Sequence, residues 1–235
     1  MNDKFPIVTF CGLRFNLCID LSVLITCIVV FALAFAFSRK PQLRPTKKQN
    51  MMEWLMSFTN NIVDAAIPAE DSGNFYLFAF VLFAFIFVSN QLGLLVELIV
   101  GGNTWIDSPT ANAVVTLGLA MMVLLMSHCY GVKKYGFKGY LKGYIKPMSM
   151  LLPINLVEEF TNFMTLGLRL YGNIFAGEVL LMLIANMATS LHLGAIAVMP
   201  LEMIWQAFSA FIGSIQAFVF VTLGMVYISS KLQEE

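Results

Sequence analysis

The sequence predicts an all-α integral membrane protein with five membrane-crossing helical segments, the last two long, tilted and antiparallel, plus an interfacial amphipathic helix. Three observations carry this. Of 235 residues, 59% are hydrophobic and only 12% are charged, about half the charged share of a soluble domain. Five apolar runs are long enough to cross a hydrocarbon slab ~30 Å thick. The basic residues gather in a few clusters between those runs instead of spreading along the chain.

The first run, 17–37, has few polar interruptions. It exceeds the h-region of a cleaved signal peptide, and its basic flank follows it instead of preceding it, so it reads as a retained transmembrane helix. Segment 41–70 is amphipathic. Met51, Met52, Trp54, Leu55, Phe58, Ile62 and Val63 recur at helical spacing with Glu53, Asn60, Asn61 and Asp64 among them. That pattern suits a helix lying on the interface; a plain connecting loop is the alternative. The second run is 75–96. Asn90, Gln91 and Glu97 near its end read as interfacial. Ser108-Pro109 precedes the third run, 113–130, as a capping side chain followed by Pro at the first helical position. Pro153 opens the fourth in the same way. The fourth run, 153–187, would be about 52 Å long as straight helix and the fifth, 201–230, about 45 Å. Helices of that length must tilt, kink or lie partly in the plane. The whole chain reads as a single membrane domain.

Charge sets the orientation. Lys4 and Arg14 precede the first run. Arg39, Lys40, Arg44, Lys47 and Lys48 follow it, Lys133, Lys134, Lys138, Lys142 and Lys146 follow the third, and Lys231 is at the tail. Segments 101–108 and 188–198 contain no Lys or Arg. The positive-inside rule therefore places the N-terminus outside and the C-terminus in the cytoplasm, as in a bacterial plasma membrane. The net charge of zero argues against a nucleic-acid partner. Cys11, Cys18, Cys27 and Cys129 form no CxxC or Cys/His cluster and read as small apolar fillers. With no glycine-rich phosphate loop, nucleotide chemistry would belong to another chain. No metal or cofactor is expected.

One basic residue escapes this pattern. Arg169 lies in the middle of the fourth run, where a guanidinium costs about 2.5 kcal/mol or more. Arginine does not deprotonate in proteins. So permanent a charge faces a wet cavity, a counter-ion or a moving partner.

The last two runs are also rich in polar residues. At about 100° per residue with Arg169 at zero, Glu158, Asn162, Thr165 and Asn173 fall within about 40° on one stripe, and Glu178 falls opposite. Glu202, Ser209 and Gln216 recur every seven residues in the last run. If the connecting turn centres near residues 192–193, by His192 and Gly194, Gln216 is placed to hydrogen-bond Arg169 and Glu178 lies near 206–209. Two wet paths follow: one from outside along Glu202, Ser209, Glu178 and Gln216, the other to the cytoplasm along Glu158, Glu159 and Asn162. Arg169 stands between them. It cannot relay a proton, but it can make a passing carboxylic acid ionise: at ~4 Å and an effective dielectric near 20 the attraction is about 4 kcal/mol. Plainer readings stay open. Arg169 pairs with Glu158 or Glu178 as structural glue; Asn173 and Gln216 make ordinary interhelical hydrogen bonds; Glu202 is solvated near the outer turn; Glu158 and Glu159 favour a helix N-terminus. Gly167, Gly172, Gly177, Gly213 and Gly224 serve either close helix pairing or a smooth face against a sliding partner.

Three segments carry a family resemblance: Pro109-Thr-Ala-Asn-Ala-Val-Val-Thr-Leu117; Leu166-Gly-Leu-Arg-Leu-Tyr-Gly-Asn173 with Ala176-Gly-Glu178; and Ile215-Gln-Ala-Phe-Val-Phe220 leading to Val226-Tyr-Ile228. In these the chain resembles subunit a of the F-type ATP synthases. The resemblance implies that Arg169 is that family's essential arginine and that Asn173, Glu178 and Gln216 are its half-channel neighbours. It implies as partners a rotating ring of c subunits, each a hairpin bearing a carboxylate, the peripheral-stalk b subunits, the remainder of the ATP synthase and the lipid bilayer. Three positions depart from the family pattern. Asn112 stands where Asp is common, Ser209 where some members carry His, and Asn162-Phe163 where Lys-Pro is frequent. The outer path would then depend more on Glu178, Glu202 and water. The expected function is a stator that passes protons through two offset half-channels without itself catalysing the nucleotide reaction. The alternative is a self-contained secondary transporter in which Arg169 binds an anionic substrate.

Overall fold

The computed structural model describes residues 7–10, 13–39, 46–95, 98–100, 103–106, 108–145, 152–190 and 195–232. Lys4, Lys40, Arg44, Glu97, Lys146 and the turn expected near His192 and Gly194 lie outside the described residues. Seven helices dominate: α1 (Leu17–Ser38), α2 (Lys47–Ala66), the single-turn α3 (Ala69–Ser72), α4 (Tyr76–Leu95), α5 (Ala113–Ile145), α6 (Leu152–Ser190) and α7 (Ala195–Leu232). Five of them, α1 and α4 to α7, are long and apolar enough to cross a membrane. The protein is thus an all-α membrane protein. Two small antiparallel hairpins decorate it: β1 (Ile7–Phe10) with β2 (Leu13–Asn16), and β3 (Leu98–Val100) with β4 (Asn103–Ile106).

Helices α4 to α7 pack together around Phe75, Ile86, Leu170, Phe220, Met225 and Ile228, all fully buried. Lipid offers no hydrophobic drive for helices to associate, so close packing and interhelical hydrogen bonds must hold the bundle. Small residues make that approach possible. A Cβ on Gly167 would stand 3.2 Å from the Cα of Leu117, and one on Gly213 would stand 3.2 Å from the Cβ of Asn90. The α6–α5 and α7–α4 contacts therefore occur where a side chain is missing. Gly172, by contrast, has open space around it. The glycines of α6 thus divide between helix pairing and an unfilled face.

Helix α1 presents only Cys18, Ser22 and Thr26 to the interior, at a spacing of four, and leaves Leu24, Ile28, Phe31 and Phe35 exposed. Its inward stripe packs on α4. Helix α2 is the amphipathic segment. Thr46 caps it through Gln49 N–H, and Thr59, Ile62 and Val63 are buried. Phe58 packs against Phe83 of α4 and Phe218 of α7, while Met51, Trp54 and Met56 face outward.

The entry to α5 differs from the sequence expectation. Pro109–Ala111 forms a 3-10 turn, and Ser108 makes no side-chain cap there. Its hydroxyl pairs with Thr110, which donates to Asn90 Oδ1. Asn112 caps α5 instead, accepting from Val114 N–H at 2.8 Å. Helical geometry then continues well past the apolar run, to Tyr135. Gly136, at φ 72° and ψ 158°, reverses the chain in a conformation that glycine tolerates and other residues rarely adopt.

Lys134 Nζ donates to Asp71 Oδ2 at 2.7 Å, and Lys231 Nζ lies 3.1 Å from Glu159 Oε2. The last turn of α7, the first turns of α6, the start of α4 and the far end of α5 therefore share one end of the bundle. This end carries Lys133, Lys134, Lys138 and Lys231.

Candidate functional site

Helix α6 has two faces of opposite character. Leu166, Gly167, Leu170, Ile174 and Gly177 are buried against α5 and α7. The other face carries Glu158, Arg169, Asn173, Ala176, Leu180, Leu183 and Met187, all exposed. These residues fall within about 40° of Arg169 on a helix turning about 100° per residue, so Arg169 stands where the strip changes from polar, with Glu158 and the half-buried Asn162 and Thr165, to apolar, with Ala176, Leu180, Leu183 and Met187. Leu168 and Phe175 extend it, at 47% and 44% exposure.

Among the described residues nothing pairs with the Arg169 guanidinium. The ion pairs present there are His128–Glu159, Lys134–Asp71 and Lys231–Glu159. Glu178 lies on another face of α6, and Glu158, eleven residues away, is about 16 Å along the axis. Neither structural-glue arrangement occurs.

The expected bond from Gln216 to Arg169 is not made. Gln216, 5% exposed, accepts instead from Asn173 Nδ2 at 2.9 Å. Asn173 is one helical turn further along α6. The contacts do not keep a symmetric register: Gly177 packs against Ser209, and Asn173, four residues earlier on α6, meets Gln216, seven residues later on α7. A register counted symmetrically from the turn misses that drift. Asn173 thus links the exposed strip to a buried amide.

The seven-residue series on α7 descends into the protein: Glu202 is exposed, Ser209 half-buried and Gln216 buried. The Ser209 hydroxyl oxygen is itself buried and has no hydrogen-bond partner among the described residues. It lies 3.5 Å from where a Gly177 Cβ would stand; the next residue along α6 is Glu178, whose Oε1 is also buried. Trp205 Nε1 donates to Gly177 O at 3.3 Å, which fixes this part of α7 against α6. At the other end of α6, Glu158 is exposed and Glu159 is held by Lys231 and His128.

Asn90 and Gln91, which read from the sequence as interfacial, bond to α7. Asn90, expected at the interface, is 0% exposed. It donates to Gly213 O at 2.8 Å and accepts from Thr110 at 2.8 Å. Gln91 donates to Ala210 O and to Ser214 Oγ, both at 3.1 Å, and Gln206 Nε2 donates to Leu94 O at 2.9 Å. Together they clasp α7 between Ser209 and Gln216, and so hold the rotation that aims those two side chains at α6. The available signal was an adjacent Asn-Gln pair in an apolar run, costly unless satisfied by a neighbouring helix.

Residues 20–229 match the family model of the ATP synthase A chain. ATP synthase subunit a of Enterococcus faecalis is 52% identical over 239 residues, covering 100% of both chains. The protein of that name from Limosilactobacillus reuteri is 52% identical over 226 residues, 95% of each chain. That from Listeria monocytogenes serovar 1/2a is 46% identical over 238 residues, again 100% of both.

Proposed function

The chain belongs to the ATP synthase A chain family, and on that premise we propose that it is the proton-translocating stator of the membrane sector, with Arg169 separating two offset half-channels. The observation that carries the reading is an exposed guanidinium, unpaired among the described residues, in the middle of a long apolar helix. In the bilayer such a charge needs a partner, and this chain supplies none among its described residues. A ring of c subunits, each bringing a carboxylate past the strip, would meet that need in turn.

In this reading Glu202, Ser209, Glu178 and Gln216 line the outer path, and Asn162, Glu158 and Glu159 the path to the cytoplasm. A ring carboxylic acid nearing Arg169 gives up its proton, because ionised pairing with a fixed cation is favoured. It takes a proton from the other path as it leaves. Asn173, bonded to Gln216, carries the hydrogen-bond network from the buried side of α6 to the edge of the strip. Asn112 caps α5; it supplies no titrating group. The peripheral-stalk b subunits hold the stator still, and the nucleotide reaction stays with the rest of the complex. The N-terminus faces outside and the C-terminus the cytoplasm of a bacterial plasma membrane.

A self-contained secondary transporter would place Arg169 in an enclosed cavity at the junction of internal repeats. Its position on an open outer strip speaks for an external partner instead. The test is ATP-driven acidification of inverted membrane vesicles. Arg169→Ala should abolish it while the chain stays in the membrane; near-normal acidification would overturn the reading.

A further inference from the structure

The proposed cytoplasmic path ends at Glu159, but the chain continues the polar contacts beyond it. Lys231 of α7 holds Oε2 of this carboxylate at 3.1 Å. The other oxygen, Oε1, faces His128 Nε2 of α5 at 3.5 Å, a small rotation from hydrogen-bond distance. The far side of the imidazole is held as well, since Nδ1 lies 2.6 Å from the Tyr140 hydroxyl.

This arrangement is built by the backbone. Tyr140 reaches His128, twelve residues earlier, because Gly136 reverses the chain at φ 72°. It fits against α5 because residue 131 is glycine: a Cβ there would stand 2.7 Å from the Tyr140 ring. Tyr140 ends 9% exposed. The side chains of Lys231 and Glu159 are 13% and 15% exposed, whereas that of His128 is 32% exposed. The imidazole is therefore the most exposed member of the cluster, with one ring nitrogen fixed and the other aimed at a carboxylate.

Resting on the function proposed above, we infer that His128 is the terminal proton carrier of the cytoplasmic half-channel, with Glu159 as its donor and Tyr140 as its positioning residue. With Nδ1–H donated to the Tyr140 oxygen, Nε2 presents its lone pair to Glu159. Protonated Glu159 passes its proton to Nε2, leaving a carboxylate beside an imidazolium. The imidazolium then releases one proton to water and returns to the neutral ring, so one proton enters and one leaves. In ATP-driven pumping the same steps run in reverse. Histidine suits the role because its two ring nitrogens let it accept a proton on one while the other holds a hydrogen bond. The charged or titratable groups facing it among the described residues are Glu159 from α6, Lys231 beside that carboxylate from α7, and Tyr140 from the returning segment.

The experiment uses the whole complex in inverted vesicles, reading ATP-driven acidification and, after the nucleotide-hydrolysing sector is stripped, passive proton conduction. His128→Gln keeps a donor and an acceptor but carries no proton. It should slow both rates about tenfold, less than the 10²–10⁴ of a general acid–base step because water partly substitutes. His128→Ala should slow them similarly and recover when imidazole is added to the medium, which a lost packing contact would not do. Wild-type conduction in His128→Gln overturns the relay, and so does a slow His128→Ala that imidazole leaves unchanged. Arg169→Ala run beside them separates the two ideas. If it alone is inactive, the relay fails and the stator stands; if it pumps normally, the stator reading itself fails.

Discussion

Two cations on neighbouring helices, Arg169 on α6 and Lys231 on α7, are treated in opposite ways. Lys231 is 13% exposed and sits 3.1 Å from a carboxylate of its own chain. Arg169 is exposed on the open face of α6 and pairs with nothing among the described residues. The fold can neutralise a basic side chain when it needs to, and Glu178 is about two and a half turns from Arg169 in sequence. Yet the helix places that carboxylate on another face. The contrast teaches that the described carboxylates leave this guanidinium unpaired while they neutralise Lys231; in the function proposed above, a ring carboxylate supplies the counter-charge.

The largest expected effect tests the unpaired side of that contrast. Arg169→Ala should reduce ATP-driven vesicle acidification by more than about a hundredfold, the scale seen when a preorganised electrostatic group is removed. Arg169→Lys should recover little of it, since an ammonium lacks the planar donor fork and can lose its proton when dehydrated. If Lys restores full pumping, a generic positive charge suffices and the comparison loses its point. Next comes the outer path. Glu178→Gln keeps size and hydrogen bonding but cannot titrate, and should slow acidification about tenfold. An unchanged rate would move Glu178 to a packing role beside Ser209.

The paired side predicts a stability effect. Lys231→Met leaves Glu159 without its closest cation. Unfolding of the detergent-solubilised chain should become easier by on the order of 1–2 kcal/mol, below the range for fully buried pairs because some water reaches this one. A loss of proton conduction as severe as that of Arg169→Ala would erase the distinction between the two cations. The smallest effect is expected at the clasp. Asn90→Ala removes the bonds to Gly213 O and Thr110, at about 1 kcal/mol for interhelical hydrogen bonds in a bilayer. A moderate slowing of conduction should accompany it as α7 loses rotational restraint; a normal rate would show that Gln91 and Gln206 hold α7 unaided.

The hydropathy of the chain alone determined that it is a bundle of five long apolar helices, because lipid admits only segments that satisfy their own backbone. It also singled out Arg169, since a charge in mid-bilayer is costly whatever surrounds it, and the 3.6-residue period put Glu178 away from it before any neighbour was known. Other features arose only when helices far apart in sequence met. The open arc of α6 is simply the arc that α5 and α7 do not cover. Gln216 bonds Asn173 instead of Arg169 because the contacts of α6 with α7 depart from the symmetric register counted from the turn. Asn90 is buried because Gly213, 123 residues later, leaves room for it. The link of His128 to Glu159 and Tyr140 depends on a glycine reversal and on the meeting of three helix ends. Periodicity reports which side of a helix is apolar. Which neighbour fills that side, and which side is left open, depends on packing between segments that no local pattern encodes.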